Sequence, residues 1–119
     1  MGTFKEQKMD LLKPHVLNET KEYLQNIDAE EIDNLSAKEF KEHLKNAVRI
    51  LLIEKDNFGY TMEELMFYTT LRFRTLTESK SKNYIKDRVT EAIKETPYIL
   101  IESALVFGKE EKKFAVRTK

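Results

Sequence analysis

The side chains of this 119-residue sequence best suited to chemistry are basic ones that gather between positions 72 and 94. Seven Lys and Arg residues stand in that stretch against three acids, Glu78, Asp87 and Glu91. Ammonium and guanidinium groups pair with phosphate oxygens, and an Asn amide can pair with the edge of adenine. The stretch is therefore a candidate nucleic-acid surface, and an ordinary solvated helix face is the alternative interpretation. The candidate contact residues are Arg72, Arg74, Lys80, Lys82, Asn83, Lys86, Arg88, Thr90 and Lys94.

A helix must carry these side chains on one side if they are to reach a groove of DNA. Ser79 or Ser81 can cap a helix that runs to about Glu95, where Thr96-Pro97 ends it. Its apolar residues recur at helical spacing, which predicts a buried stripe of Ile85, Val89, Ala92 and Ile93. The opposite stripe then holds Asn83, Lys86, Asp87, Thr90 and Lys94. Asn83 is placed to contact adenine, and Lys86 to contact guanine or phosphate. Lys80 and Lys82 lie at the N-terminal end, where free backbone amides also favour phosphate.

Charge is distributed unevenly along the chain, although Lys plus Arg and Asp plus Glu both number 21. Residues 1–71 carry 9 basic and 14 acidic groups, a balance of −5. Residues 72–119 carry 12 basic and 7 acidic groups, a balance of +5. Such asymmetry favours contact of the basic half with nucleic acid or a membrane, and an unevenly charged solvated surface is the alternative.

No other kind of site is indicated by the residue types. The sequence has no cysteine, which excludes disulfides, thiolate zinc sites and a thiol nucleophile. His15 and His43 lack the spacing of metal ligands, and no Gly-rich phosphate loop or Ser/His/Asp pattern is present. We therefore expect no catalytic residue, no metal and no cofactor, and we expect that the protein is not an enzyme. The longest apolar run, Ile50–Ile53, is too short to cross a bilayer, so a cytoplasmic location without membrane contact is expected.

Residues 1–35 are expected to form a helical N-terminal extension. Apolar spacing predicts a helix over residues 3–26, which Pro14 kinks or divides in two. Asp28 and Glu31 have the spacing of a capping box, so a short acidic helix should follow. The apolar stripe of this extension packs either on its own domain or against a second copy, and both alternatives stay open.

The helices that follow also begin at capping boxes. Ser36 and Glu39 open a helix that runs to about residue 55, and Thr61 and Glu64 open a short one. A polar turn of arginines and threonines should lead from the second helix into helix 81–95. Helix therefore dominates the chain up to residue 96.

The periodicity changes after Pro97, where residues 98–107 are rich in β-branched and aromatic side chains. Residues 108–112 then predict a polar turn, and residues 113–118 alternate between polar and apolar. Two such runs around a short Gly-containing connection predict an antiparallel hairpin. Five aromatic residues are expected to pack in the core and the hairpin: Phe67, Tyr68, Phe73, Phe107 and Phe114.

In this order of elements, residues 36–119 resemble the winged helix-turn-helix superfamily over about two thirds of the chain. The resemblance implies a mainly α, α+β fold in which the link 58–60 forms a short strand beside the hairpin. It implies that helix 61–73 positions helix 81–95 in the major groove and that hairpin 99–118 is the wing. The wing, with its tip at residues 108–113, would place Lys109, Lys112, Lys113 and Arg117 against the backbone or minor groove.

The sequence thus predicts a double-stranded DNA-binding protein, such as a transcriptional regulator or a plasmid or phage DNA-binding factor. Homodimerisation through the N-terminal helices would suit this function, because two recognition helices one DNA turn apart increase affinity and specificity. The alternative is a protein-interaction module on the same scaffold, which binds a polymerase, a nuclease or another DNA-bound protein.

Overall fold

The chain folds into an α+β arrangement, mainly helical with one small antiparallel sheet, in a computed structural model that describes residues 11–54, 59–96 and 99–116. The helices are α1 (Pro14–Asn26), α2 (Ala29–Asp33), α3 (Ala37–Glu54), α4 (Met62–Arg72), α5 (Arg74–Thr77) and α6 (Lys82–Glu95). The strands are β1 (Tyr60–Thr61), β2 (Ile99–Val106) and β3 (Lys109–Val116).

Capping boxes begin α2, α3 and α4, as their spacing predicts. At α4, the Thr61 hydroxyl accepts from the Glu64 N–H at 3.1 Å, and a Glu64 carboxylate oxygen accepts from the Thr61 N–H at 2.9 Å. Ser81, not Ser79, caps α6, since its hydroxyl accepts from the Tyr84 N–H at 3.1 Å. These local bonds satisfy amides that the helix itself leaves free, so short polar motifs set the helix starts.

Pro14 starts helix α1 instead of kinking it. Leu11, Leu12 and Lys13 form a turn and bend before it, and the predicted helical residues 3–10 lie outside the described residues. Proline is favoured at the first helical position because the donor that it lacks has no intrahelical partner there. Leu24 of α1 is buried against the rest of the chain, which is the first of the two predicted alternatives for the extension. Pairing with a second copy stays a prediction.

Helix α3 forms the centre of the core, and α1, α4, α6 and β3 pack around it. Its fully buried apolar residues are Leu44, Ala47, Val48, Ile50, Leu51 and Leu52. Helix α6 contributes the predicted residues Ile85, Val89 and Ala92, with Ile93 partly buried beside them. Phe114 and Val116 of β3 close the core on the side of the sheet.

The sheet has the strand order β1-β3-β2, and both pairings are antiparallel. Of the predicted link 58–60, Tyr60 lies in the two-residue strand β1, opposite Phe114, and residue 58 lies outside the described residues. Gly59 before it has a φ of +73°, and a Cβ there would lie 2.9 Å from the Phe114 carbonyl oxygen. Glycine is required at this position by both the backbone conformation and the close approach of β3.

The hairpin turn is shorter than predicted. Val106 pairs with Lys109, so Phe107 and Gly108 alone form the turn, and both have positive φ, 52° and 81°. Such a two-residue turn follows the right-handed twist of the strands, which lets the polar residues after it continue the ladder. The predicted turn at 108–112 and the predicted tip at 108–113 are therefore wrong, because Lys109 to Lys113 lie in β3.

Two further predictions, on the turn after residue 73 and on the burial of aromatic residues, are wrong or only partly confirmed. The predicted polar turn after residue 73 contains the short helix α5, whose Leu76 and Thr77 are buried, and the Thr77 hydroxyl donates to the Phe73 carbonyl oxygen at 3.0 Å. Among the five aromatic residues, Phe73 and Phe114 are buried as expected, whereas Phe67, Tyr68 and Phe107 are exposed. Apolar character alone does not show which aromatic side chains a small core has room for.

Candidate nucleic-acid interface

Helix α6 carries six of the thirteen candidate residues, and its burial pattern decides which of them face solvent. Because Ile85, Val89 and Ala92 pack into the core, the opposite face points outward. Asn83, Lys86 and Lys94 are exposed on that face, and Lys82 is exposed at its edge, in the first turn of the helix beside Ile85. Thr90 is half-buried, and its hydroxyl donates to the Lys86 carbonyl oxygen at 2.9 Å, so its proton is already used within the helix.

The exposed lysines of α6 share its solvent face with the exposed carboxylate of Asp87. Within the described parts of the chain, Lys82, Lys86 and Lys94 form no ion pair. The first amides of the helix, those of Lys82 and Asn83, lie at its positive end and have no intrahelical acceptor. This end of α6 thus combines cationic side chains with free backbone donors, a combination that suits phosphate.

Aromatic rings hold Lys80 in place just before α6. Its Nζ lies 4.7 Å from the centroid of the Phe40 ring and 4.9 Å from that of Tyr84, while the residue stays exposed. Stacking of an ammonium group on ring faces is attractive and restricts the rotamers of a long side chain. The Lys80 charge is therefore positioned beside the N-terminus of α6.

Arg88 is not available to a ligand, contrary to its assignment as a contact residue. It is buried, its Nε and Nη2 each donate to a Glu91 oxygen at 2.9 Å, and its Cζ lies 4.6 Å from the Tyr84 ring centroid. Burial opposes the charged form, but the hydrogen bonds with Glu91 outweigh it and raise the pKa of Arg88. A guanidinium engaged in this way stabilises α6, so Arg88 is removed from the contact set.

Arg72 is also engaged inside the protein. Its Nη1 lies 2.7 Å from Glu54 Oε1, and Lys21 Nζ lies 2.7 Å from the other oxygen of the same carboxylate. Burial opposes ionisation of Glu54, yet the hydrogen bonds from both cations outweigh it and hold its pKa below the ordinary value. This cluster joins α1, α3 and α4, so Arg72 serves packing, whereas Arg74 is exposed.

A buried polar network that sequence reasoning missed anchors the other end of α6. Arg49 of α3 donates to Glu95 at 3.2 Å, to the Thr96 hydroxyl at 3.3 Å and to Asn46 at 2.6 Å. Lys45 lies 2.9 Å from Glu95 as well. Asn46 is three positions from Arg49, but the bonds that join α3 to the end of α6 link residues 46 to 50 positions apart, so no local spacing could have indicated this connection.

Three of the candidate cations lie around two adjoining grooves beside α4. Lys80 and Lys82 line a groove of about 510 Å³ whose apolar lining includes Met66, Phe67 and Ile85. Arg74 lines the neighbouring groove of about 450 Å³, which shares Phe67 with the first. Glu63 and Glu78 also line the first groove, so its rim is mixed in charge. The structure thus brings Arg74, Lys80 and Lys82 to one apolar-floored region.

The hairpin contributes fewer contacts than predicted. Lys109 and Lys112 are exposed, whereas Lys113 is half-buried opposite Thr61 and Glu102. Lys113 shares a separate cavity of about 520 Å³ with Arg72 and Tyr60, beside β1. Arg117 lies outside the described residues. The exposed hairpin cations among the described residues are therefore Lys109 and Lys112, with Glu110 and Glu111 between them in sequence.

Other kinds of site are not found in the described ranges. They hold no group of three or more His, Cys, Asp or Glu side chains arranged for a metal ion. No helix in them has both the length and the apolar character that a membrane span requires. Comparison with protein-family models, with curated proteins and with solved structures gives no match.

Proposed function

We propose that this chain is a double-stranded DNA-binding protein of the winged helix-turn-helix type, in which α6 enters the major groove. The observation that carries the proposal is the solvent face of α6. It presents Lys82, Lys86 and Lys94 without ion pairs among the described residues, together with the amide of Asn83. Lysines supply attraction to phosphate, and Asn83 supplies a group that can read adenine.

The arrangement of elements supports this proposal. Helices α4 and α6 pack against each other, joined through α5, and the hairpin of β2 and β3 follows directly. The short strand β1 lies beside β3, the position that the winged-helix resemblance implies for the link. In that arrangement the exposed face of α6 and the hairpin act together, so Lys109 and Lys112 would contact the neighbouring backbone or minor groove.

The proposed contact set is smaller than the predicted one. It keeps the exposed cations and Asn83: Arg74, Lys80, Lys82, Asn83, Lys86, Lys94, Lys109 and Lys112. Arg72, Arg88 and Thr90 act within the fold, and Lys113 lies beside β1. A DNA-bound regulator or a plasmid or phage factor is the class of protein that such a surface suits.

A matched pair of charge-reversal variants tests the proposal. The test variant is Lys82→Glu with Lys86→Glu on α6, and the control is Lys38→Glu with Lys41→Glu on α3, where both lysines are also exposed. Each variant changes the net charge by the same amount. Duplex binding is measured by fluorescence anisotropy on random-sequence DNA over a salt series, with circular dichroism to confirm folding.

We expect the wild type to bind in the micromolar range at low salt. The α6 variant should lower the slope of log affinity against log salt by about 2, because two phosphate contacts are lost. The α3 variant should keep most of the slope. Equal losses in both variants would show that net charge alone governs binding, and would remove α6 as the contact surface.

A protein-interaction module is the second candidate, and the apolar surface of α4 favours it. Phe67 and Leu71 are exposed one helical turn apart and line the groove that also holds Arg74. Exposed aromatic and apolar side chains beside cations are common in protein interfaces. A folded wild type that shifts no duplex at micromolar concentration and low salt would favour this candidate over DNA binding.

A further inference from the structure

Strand β2 has a free edge that the sequence leaves unprotected. The strand lies at the outside of the sheet and pairs with β3 in continuous register along Ile99–Val106, and the described residues place no strand on its other side. Edge strands are usually protected by lysine, proline or a bulge, because unpaired backbone groups attract other strands. Between residues 99 and 106 there is no lysine or proline, and Glu102 is the one charge.

An apolar stripe runs along this unprotected strand. Ile101, Leu105 and Phe107 are 54%, 78% and 102% exposed. Residues two apart in a strand share a face, so Ile101 and Leu105 flank the exposed Ser103 on one side of β2. Exposed apolar side chains beside free backbone donors and acceptors are the two features that strand addition uses.

The hairpin turn determines which backbone groups are free. The two residues that flank a tight turn hydrogen-bond to each other, here Val106 and Lys109. Because hydrogen-bonded and non-hydrogen-bonded positions alternate in an antiparallel pair, the N–H and C=O groups of Ile101, Ser103 and Leu105 point to the outer edge. The residues with exposed apolar side chains therefore also carry the unpaired backbone groups.

We propose that β2 of a second copy of this chain occupies this edge in an antiparallel dimer, with the two-fold axis at Ser103. In that register Ile101 lies opposite Leu105 of the second copy, and Ser103 lies opposite Ser103. Glu102 lies opposite Ala104, which separates the two carboxylates. A register shifted so that Ile101 meets Ser103 would set Glu102 directly against Glu102, and like charges in that position are destabilising.

The symmetry of the strand favours a second copy over a strand of another protein. Within the strand, Ile101 and Leu105 lie at equal distances on either side of Ser103, so this segment is complementary to itself in the reverse direction. A foreign strand would require no such symmetry. The interface is small, so the dimer is expected to be weak and to form with rising concentration. It is independent of DNA binding.

Sedimentation velocity on the full chain, over a micromolar to millimolar range, tests the proposal. The test variant is Leu105→Lys, at a leucine that is 78% exposed. The control is Leu71→Lys on α4, at a leucine that is 52% exposed. The wild type should dimerise, and Leu105→Lys should weaken association by about tenfold or more, because it places a charge on each apolar cross-strand pair. Leu71→Lys should associate like the wild type.

Two further variants test the register. Ile101→Lys mixed with Leu105→Glu should form a heterodimer more readily than either variant forms a homodimer, since lysine then faces glutamate and leucine faces isoleucine. The chain has no cysteine, so Ser103→Cys introduces a single thiol. Opposed residues in a hydrogen-bonded pair lie about 5.5 Å apart at Cα, within the range of a disulfide. Ser103→Cys should therefore oxidise to a dimer much faster than Glu102→Cys, whose own copy lies two positions away.

Three results would overturn the proposal: a folded wild type that stays monomeric throughout, equal association of Leu105→Lys and wild type, or equal cross-linking of the two cysteine variants. Equal association would assign the dimer to another surface, such as the N-terminal helices. Because none of these measurements contains DNA, failure of the DNA-binding proposal leaves them unchanged.

Discussion

The charged cluster between α3 and the end of α6 allows a quantitative test of how the proposed recognition helix is held. Arg49, whose side chain is 2% exposed, lies 3.2 Å from Glu95, and Lys45, at 9%, lies 2.9 Å from both Glu42 and Glu95. Two buried cations thus share two carboxylates. Glu95 is the member of the cluster that belongs to α6.

Removal of Glu95 should lower the free energy of unfolding more than removal of Arg49. Glu95→Ala leaves Lys45 and Arg49 with Glu42, which lies 2.9 Å from Lys45 but 4.0 Å from Arg49. A buried charge that loses its partner lowers the free energy of unfolding by about 3–5 kcal/mol. Because Arg49 keeps its other hydrogen bonds, we expect a loss of about 3 kcal/mol. The network then holds two cations against one carboxylate.

Arg49→Met should cost less, although it removes the hydrogen bonds to Glu95, Thr96 and Asn46. Glu95 is 33% exposed on its side chain and keeps Lys45, so no charge is left unpaired. Burial disfavours the charged guanidinium and lowers the pKa of Arg49, and methionine removes that penalty while it fills most of the space. We expect a loss of about 1–2 kcal/mol in the free energy of unfolding.

Urea unfolding followed by far-ultraviolet circular dichroism measures both values. A constant dependence of the free energy on urea concentration would show that the two variants unfold from comparably folded states. The double variant should cost less than the sum of the single losses, because the interaction is shared. If Arg49→Met lost as much stability as Glu95→Ala, packing of the long side chain, and not charge balance, would hold α6.

The remaining predictions concern the hairpin turn and the packing of α1. Phe107 occupies a left-handed conformation that costs a bulky residue about 1–2 kcal/mol, so Phe107→Asn should raise the urea midpoint at micromolar concentration, and a lower midpoint would contradict this. His43 packs edge-on against Tyr23 with ring centroids 5.6 Å apart, and burial lowers its pKa although Glu39 and Glu42 oppose the shift. The unfolded chain therefore binds the proton more readily, so the stability that His43 contributes is complete above about pH 6.5 and is lost as the pH falls through the lower folded-state pKa. The free energy of unfolding is measured against pH for the wild type and for His43→Gln, and the difference between the two profiles should isolate this loss. The control His15→Gln, at an exposed position, should show the same loss as the wild type.

Local sequence patterns predicted the helices and strands of this fold more completely than its ion pairs. The capping boxes and the cap at Ser81 depend on spacings of three residues, which a sequence displays directly. The short strand at Tyr60 was implied only by the winged-helix resemblance, because it pairs with the distant strand β3. Arg72 with Glu54 and Arg49 with Glu95 are joined only by packing of separate helices, so no spacing indicated them.

Arg88 is an intermediate case between these two groups. Glu91 lies three positions after it and Tyr84 four positions before it, which is the spacing of helical neighbours. Its position between Ile85 and Ala92 also placed it on the buried side of α6. The charge of Arg88 alone indicated a contact residue. A helical projection of Tyr84, Arg88 and Glu91 would have shown that the side chain has partners within α6.

Arginine and lysine side chains occupy different environments in this fold, and this difference affects what kind of DNA-binding protein it would be. Arg49, Arg72 and Arg88 donate to carboxylates within the fold, so the exposed face of α6 carries lysines and Asn83 but no arginine. Bidentate arginine contacts with guanine are the commonest source of base discrimination, whereas lysine acts chiefly as a point charge toward phosphate. On this face Asn83 offers a bidentate group for adenine, while Lys86 and Asp87 would reach guanine or cytosine only through single groups, so base readout by α6 would be limited. Phosphate contacts from the six lysines of the proposed contact set would give a slope of log affinity against log salt of about −5.4. The proposed interface therefore favours a salt-sensitive protein that follows the DNA backbone over a highly selective operator-binding repressor.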